Sequence, residues 1–309
     1  MKLSYQSRIT ASAFLMLAIC IIILLALVFP RTDRTVKVMD LLFVIDITQS
    51  MDVVDVELDG EKVSRLTWAL DYTKKTLQKM PCGSHVGLAA FSESRSLILI
   101  NPVELCSSYN DLTQMLSKIH GSMAWALSSE VSKAAFGAIE QAKLMNPSPD
   151  VVFITDGHEA PPLNDELYPK YKKKFEGVTG VFVGVGSDEL LPIPKHKFDG
   201  TPDGFWQQDE VLHEDVYASL RSESEELRNS RPRNEHLSSQ KKTHIEGLAK
   251  MLKFDTVSSP NSTKVIINAL ENKVDTRNEV VNYSWAPWFA SLALFLLVLL
   301  YLPFRLIRD

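Results

Sequence analysis

The chain has 309 residues, 45% of them hydrophobic and 23% charged, and a formal net charge of -5. Two apolar ends leave about 250 residues to fold, a length that favours one domain. The sequence pI is near 5.9, and the basic residues are scattered. The composition therefore excludes the basic surface typical of nucleic-acid binding.

The first apolar segment, residues 10–30, contains no charged side chain. It is long enough to cross a bilayer as a helix. A cleaved signal peptide has a shorter apolar region followed by small residues, whereas this segment offers only Ala26 near its end. We therefore predict an uncleaved membrane anchor, with residues 1–9 in the cytoplasm.

A second charge-free segment covers residues 285–304 and carries aromatic residues where membrane interfaces favour them. A buried core helix is the alternative. Two membrane spans would place both termini on one side, and the basic tail, residues 305–309, favours the cytoplasmic side. Residues 259–284 are then a linker between the folded domain and the second span.

The segment between the spans alternates apolar strands with amphipathic helices. The strand "VKVMDLLFVID" precedes a helix from Arg65 to Met80, the hairpin "HVGLAAF" with "SLILI", and two helices in "DLTQMLSKI" and "SEVSKAAFGAIEQAKLM". The strands "DVVFITDG" and "VTGVFVGVG" follow, and "HIEGLAKMLKFDTVSS" supplies a last helix and strand. This order predicts an α/β fold over residues 36–258, with a doubly wound, mostly parallel sheet and one antiparallel edge hairpin.

Residues 187–240 interrupt this alternation. Turn signals in "PIPKHKFDGTPDGFW" predict a short appended hairpin. The charged run "RSESEELRNSRPRNEH" is interpreted as a solvated helix or flexible insert, with a binding segment as the alternative.

Oxygen-bearing side chains follow two of the apolar strands. Asp46, Thr48 and Ser50 occupy alternate positions after the first strand, and Asp156 ends the strand in "FITDG". If these strands are neighbours, the four side chains converge at one edge of the sheet. Oxygen ligands favour a hard divalent cation, so we predict a site for Mg²⁺, with Ca²⁺ or Mn²⁺ as alternatives.

"DITQS" resembles the D-x-S/T-x-S loop of the von Willebrand factor type A (vWA) domain, and "FITDG" is similar to its second acidic loop. The resemblance implies that Thr48 and Ser50 bind the metal directly, while Asp46 and Asp156 act through water. It also implies an open coordination position for an Asp or Glu of a partner protein. The expected function is binding, and no enzymatic activity is predicted.

The family's third metal loop has a threonine, but "HGSMAWALSSEVSKAAFGAIEQA" contains none. Counting back from the small pair Ala134 and Ala135 places the expected hydroxyl at Ser129, with Ser128 and Ser122 as fallbacks. The alternative role for Ser128 or Ser129 is to cap the following helix. Asp52 falls outside the matching positions and is predicted to lie on the loop surface.

Several longer stretches, among them "FITDGHEAPP" and "PIPKHKFDGTPDGFW", resemble the membrane-anchored MxaL-like accessory proteins of bacterial methanol oxidation. More distantly, the chain is similar to the Bat aerotolerance proteins. The first resemblance implies a maturation factor for a periplasmic, calcium-dependent quinoprotein methanol dehydrogenase. The alternative is a Bat-like scaffold that joins other vWA membrane proteins and does not require its metal site.

Cys82 and Cys106 are the two cysteines outside the first span. If the hairpin pivots about Ser94, the two positions oppose each other, and we predict a disulfide, with two reduced thiols as the alternative. A disulfide requires an oxidising compartment. We therefore expect a bacterial inner-membrane protein whose folded domain lies in the periplasm.

His158 and Glu159 follow Asp156 and suggest a metal or acid-base pair. No second His or Cys lies at ligand spacing. We interpret both side chains as ordinary contacts at the rim of the crevice.

Overall fold

The computed structural model describes residues 2–28, 32–163, 177–197, 199–213, 233–258 and 276–301. The chain divides into two compact units, one of residues 1–36 with 278–309 and one of residues 37–277. The predicted tail 305–309 and most of the charged run in the insert lie outside the described residues.

Helices and strands are numbered in chain order over the described residues. The helices α1 to α6 are Lys2–Val28, Arg65–Leu77, Tyr109–Lys118, Val131–Leu144, Lys242–Leu252 and Ala286–Tyr301. The strands β1 to β7 are Thr32–Asp46, Val54–Leu58, Glu61–Ser64, His85–Ser92, Arg95–Glu104, Asp150–Thr155 and Gly180–Gly184. The strands β8 to β13 are Leu191–Pro192, Pro194–His196, Pro202–Phe205, Leu237–Ser238, Asp255–Ser258 and Thr276–Tyr283.

The central sheet has the strand order β12-β7-β6-β1-β4-β5, and β13 also pairs with β1. Strand β1 runs parallel to both β4 and β6, whereas β5 is antiparallel to β4. The predicted α/β fold, a mostly parallel sheet with one antiparallel edge hairpin, is confirmed. Because Asp46 is opposite Phe91 of β4 and Ile45 is opposite Ile154 of β6, the ends of three strands meet at one edge.

Helices cover both faces of this sheet, which explains why β1 is apolar at nearly every position. Phe43 and Ile45 pack in a cluster with buried residues of α2 and α3. Leu42 and Val44 point to the opposite face and pack in a cluster with buried residues of α4 and α5. The alternation leaves the polar residues after Ile45 at the strand end, where the first candidate loop begins.

A hairpin that the sequence analysis missed, β2–β3, follows the first loop. Its turn residues Asp59 and Gly60 both have positive φ angles, 52° and 90°. An Asp-Gly pair between alternating residues is a strong hairpin signal, so this element was recognisable. The hairpin matters because it carries Asp55, which contacts the candidate site.

The structure confirms two further predictions, the short hairpin in the insert and the disulfide. Strands β9 and β10 form the expected short antiparallel hairpin, and β8 pairs with β11. Cys82 and Cys106 form a disulfide with a Cα–Cα distance of 5.2 Å. It joins the two ends of the β4–β5 hairpin.

The terminal unit contains α1 and α6, which contact each other. The guanidinium of Arg34 lies 4.7 Å from the centre of the Tyr283 ring and 5.1 Å from that of Trp285. Over the described part of the chain, neither α1 nor α6 nor any other helix has both the length and the apolar character of a membrane span.

Candidate metal centre

The first loop holds two hydroxyl groups side by side. Asp46 is fully buried at the end of β1. The backbone N–H of Thr48 and its hydroxyl both donate hydrogen bonds to Asp46 Oδ1, at 2.9 and 2.6 Å. Ser50 lies in the 3₁₀ turn that follows, and its Oγ is 3.3 Å from Thr48 Oγ1. Asp46 therefore orients the loop and leaves the two hydroxyl oxygens adjacent.

The second acidic loop reaches the same point because β6 is the neighbour of β1. Thr155 donates a hydrogen bond of 2.6 Å to Asp46 Oδ2. The next residue, Asp156, is fully buried and accepts a hydrogen bond of 2.9 Å from the His158 backbone N–H. The structure thus brings together Asp46, Thr48, Ser50 and Asp156.

The third loop supplies Ser129, which lies between two strand-like bridges. Its N–H donates to the Ala160 carbonyl and its carbonyl accepts from the Ala160 N–H, both at 2.8 Å. Its side chain is buried, and Ser129 Oγ has no hydrogen-bond partner among the described residues. Thr48, Ser50 and Ser129 line one cavity.

The structure distinguishes among the alternatives to Ser129 as a ligand, which are helix capping, Ser128 and Ser122. The N-cap position of α4 is Glu130, which makes no side-chain capping bond, so capping does not account for Ser129. Ser128 also borders the cavity. Ser122 is exposed, and its Oγ lies 2.7 Å from His120 Nδ1.

A buried arginine that the sequence analysis missed contacts the second acid. Arg65 begins α2, and its side chain is 0% exposed. Its Nη1 lies 2.6 Å from Asp156 Oδ2, and its Nη2 lies 2.6 Å from Asp55 Oδ2. Nη1 also donates to Ser238 Oγ at 2.7 Å, which ties the insert to the same cluster. In sequence, an Arg at the start of an amphipathic helix is indistinguishable from a surface cation.

The two buried acids differ in their pKa values because their neighbours differ. Burial, together with the negative charge of Asp156, raises the pKa of Asp46 to about 7. Burial would also raise the pKa of Asp156, but the Arg65 guanidinium, together with His158 and hydrogen bonds to the carboxylate, outweighs it and lowers that pKa. A cation at the strand ends would favour ionised Asp46, because an opposite charge stabilises a carboxylate.

The donor set fits a hard divalent cation. Three hydroxyl oxygens and two carboxylates meet at this edge, and such ligands suit Mg²⁺, Ca²⁺ or Mn²⁺. The buried Ser129 hydroxyl lacks a partner that a ligand bond would supply. Across the described ranges, no group of three or more His, Cys, Asp and Glu side chains offers another metal site. When bound, the cation would supply a Lewis-acidic position for a carboxylate.

Three residues near the site are buried or half-buried. His158 is 2% exposed, and burial lowers its pKa to about 4. Glu159 accepts hydrogen bonds from the Ser132 N–H and hydroxyl, so it fixes the start of α4. Asp52 is half-buried, with Oδ2 at 3.5 Å from His196 Nδ1 of the insert. The insert contacts two of these residues, since His196 lies near Asp52 and Glu235 Oε2 lies 3.6 Å from His158 Nε2. Asp52 is therefore less exposed than predicted, whereas His158 borders the cavity, which agrees with a contact at the rim of the crevice.

Comparison with known proteins agrees with the fold. Residues 41–158 match the family model of the von Willebrand factor type A domain. These residues are thus similar to a vWA domain, and both acidic loops fall within them. A comparison with curated protein sequences gives no significant match.

Two solved structures share this fold. BatB from Bacteroides thetaiotaomicron has a TM-score of 0.52 and 17% identity, over 76% of this chain and 98% of BatB. An aerotolerance-related membrane protein from Bacteroides fragilis has a TM-score of 0.51 and 16% identity, over 76% of this chain and 97% of that protein. At these identities the likeness establishes the fold.

Proposed function

We propose that the vWA domain binds one divalent cation, Mg²⁺ in the first instance, and through it holds an Asp or Glu of a protein partner. Thr48, Ser50 and Ser129 are the proposed direct ligands, and Asp46 and Asp156 support the cation through water. The observation that carries this proposal is the buried, unpartnered Ser129 hydroxyl in the cavity of Thr48 and Ser50. Neutral direct ligands leave a cation electron-poor, so a carboxylate gains a strong bond.

Calorimetry on the full chain in lipid nanodiscs tests this proposal. Wild type and Ser122→Ala, a matched hydroxyl deletion away from the cavity, should bind Mg²⁺ alike. Ser50→Ala should bind much more weakly, because it loses a direct ligand. Absence of Mg²⁺ binding at millimolar concentrations, or equal binding by all three proteins, would show that the proposal is wrong.

The proposed setting is the bacterial inner membrane, with residues 10–30 and 285–304 as anchors and the domain in the periplasm. Both segments are free of charge, and the Cys82–Cys106 disulfide requires an oxidising compartment. The Bacteroides fragilis neighbour is named a membrane protein, which agrees with this placement. In spheroplasts, an impermeant thiol reagent should label Ser122→Cys. Labelling only after lysis would contradict the periplasmic placement.

The proposed client is a periplasmic quinoprotein methanol dehydrogenase, whose maturation the chain assists as a binding protein and not as an enzyme. The support is the resemblance of several segments to the MxaL-like accessory proteins. A strain that lacks the chain should accumulate dehydrogenase without its calcium. Wild type should restore the calcium content and Ser50→Ala should not. An unchanged calcium content in the deletion strain would exclude this client.

A second candidate function is a Bat-like membrane scaffold that does not need its metal. Arg65 favours it, because its guanidinium, 2.6 Å from Asp156, already supplies a positive charge to the loops. The neighbour BatB, of the same fold, agrees with this candidate. Capture of other vWA membrane proteins that survives both chelation and Ser50→Ala would favour the scaffold over the metal-dependent function.

A further inference from the structure

The insert builds a second wall above the first metal loop. Trp206 follows β10, and its indole N–H donates a hydrogen bond to Gln49 Oε1 in the 3₁₀ turn. His196 of β9 approaches Asp52 at the other end of that turn. These two contacts fix the insert against the loop that carries Thr48 and Ser50.

A cavity of about 220 Å³ lies between this wall and the metal loops. Its polar floor contains Thr48, Ser50 and Ser129, whereas its walls are largely apolar and include Leu127, Ile193, Trp206 and Leu212. Pockets for drug-sized ligands have about 300–1,000 Å³, so this volume suits one or two side chains of a peptide. Leu127 and Leu212 are 68% and 64% exposed, and an apolar occupant would cover them.

The charged groups of the cavity restrict what can occupy it. Glu210 and Glu235 both border it, and Glu210 is already paired with Lys195 at 2.5 Å. A second acidic residue on the occupant would face the Glu235 carboxylate and be repelled. His158 also borders the cavity, and neither ring nitrogen has a hydrogen-bond partner among the described residues. A peptide backbone can supply the missing bond.

We infer that the partner presents a single acidic residue directly beside a large apolar residue, with the carboxylate at the metal loops and the apolar side chain against Leu127, Trp206 and Leu212. This inference rests on the proposed function, since it specifies the peptide that the cation would hold. The insert, and not the metal loops, then determines which acidic peptides bind.

Short fluorescent peptides test the inference on the full chain in nanodiscs with Mg²⁺. The probes share flanking glycines and differ in their central pair, Asp-Leu, Asp-Ser, Asp-Glu or Asn-Leu. Burial of a leucine side chain should make Asp-Leu bind about tenfold or more tightly than Asp-Ser. Asp-Glu should bind no better than Asp-Ser, and Asn-Leu should lose the metal-dependent part of the binding.

Substitutions in the cavity wall then show whether Leu127 and Leu212 cause the preference for Asp-Leu. Leu127→Ser and Leu212→Ser should abolish the preference for Asp-Leu while Mg²⁺ binding stays unchanged. Leu144→Ser, at the exposed end of α4 and 87% exposed, is the matched control and should retain the preference. Because all three side chains are largely exposed, loss of folding does not explain a difference among them.

The outcomes separate the inference from the proposed function. Equal, chelation-sensitive binding of Asp-Leu and Asp-Ser overturns the inference alone, as does an unchanged preference in both cavity variants. Asp-Leu binding that survives chelation and equals Asn-Leu binding overturns the proposed function as well. Failure of every peptide to bind overturns the inference, and Mg²⁺ calorimetry then decides the proposed function separately.

Discussion

Replacement of Arg65 by methionine should be one of the most damaging single changes near the candidate site. The buried guanidinium is within 2.6 Å of both Asp55 and Asp156, and its Nη1 also donates to the Ser50 carbonyl at 3.3 Å. Methionine keeps much of the volume but leaves two buried carboxylates without their shared counter-ion. Breaking a buried ion pair from one side costs about 3–5 kcal/mol.

That loss corresponds to a fall in melting temperature of about 6–20 °C for a domain of this size. Thermal unfolding of the full chain, followed by tryptophan fluorescence in chelator, measures it. Adding Asp156→Asn to Arg65→Met should recover part of the loss, because it removes one uncompensated charge. Mg²⁺ should raise the melting temperature of Arg65→Met more than that of wild type, because Asp156 then depends on the metal for a positive neighbour.

Arg95→Met is the matched control, since Arg95 is 78% exposed and its nearest acid, Glu93, is 3.9 Å away. It should change stability by less than about 0.5 kcal/mol. An Arg65→Met protein that melts within about 2 °C of wild type would refute the reasoning, because the ion cluster would then contribute little.

Three further changes have expected outcomes. Replacing Cys82 and Cys106 by alanine should lower the free energy of unfolding by about 3 kcal/mol, because the disulfide closes a loop of 24 residues. Melting experiments without reductant measure this loss, and an unchanged melting temperature would contradict it. Burial tends to raise the pKa of Glu104, but hydrogen bonds from neighbouring backbone N–H groups dominate and lower it to about 2. The stabilisation by Glu104 should therefore be complete above its unfolded value of 4.5 and disappear as the pH falls towards 2. Melting curves of wild type and Glu104→Gln should converge in that range, and a constant difference would contradict the assignment. Gly186→Ala should destabilise the domain, since Gly186 has a φ of 113° and an added Cβ would lie 2.6 Å from Arg65 Nε; equal melting curves would show that the Arg65 cluster tolerates displacement.

The fold and half of the site were predictable because their signals are local. Apolar strands that alternate with amphipathic helices predicted the sheet, and the spacing of Asp46, Thr48 and Ser50 after one strand predicted their convergence. No sequence motif marks Ser129, so its position was predicted by counting back from Ala134 and Ala135 in α4. The structure confirms that it lies in the same cavity, while its role as a ligand stays a prediction.

The remaining features depend on contacts between distant parts of the chain. Arg65 and Asp156 are 91 positions apart, and neither residue type nor periodicity indicates their pairing. The burial of His158 depends on the insert, whose position over the loops follows from contacts such as that of Trp206 with Gln49. The β2–β3 hairpin is different, because its Asp59-Gly60 turn is a local sequence signal for a hairpin.

The proposed function requires a cation held by hydroxyl groups from separate loops. Electron paramagnetic resonance of Mn²⁺ added to the full chain in nanodiscs tests this most directly, because bound and free Mn²⁺ give different signals. We expect one bound Mn²⁺ per chain, which Mg²⁺ displaces. Binding should be lost in Thr48→Val, weakened in Ser129→Ala and unchanged in Ser122→Ala. Equal Mn²⁺ binding in wild type, Thr48→Val and Ser129→Ala would contradict it.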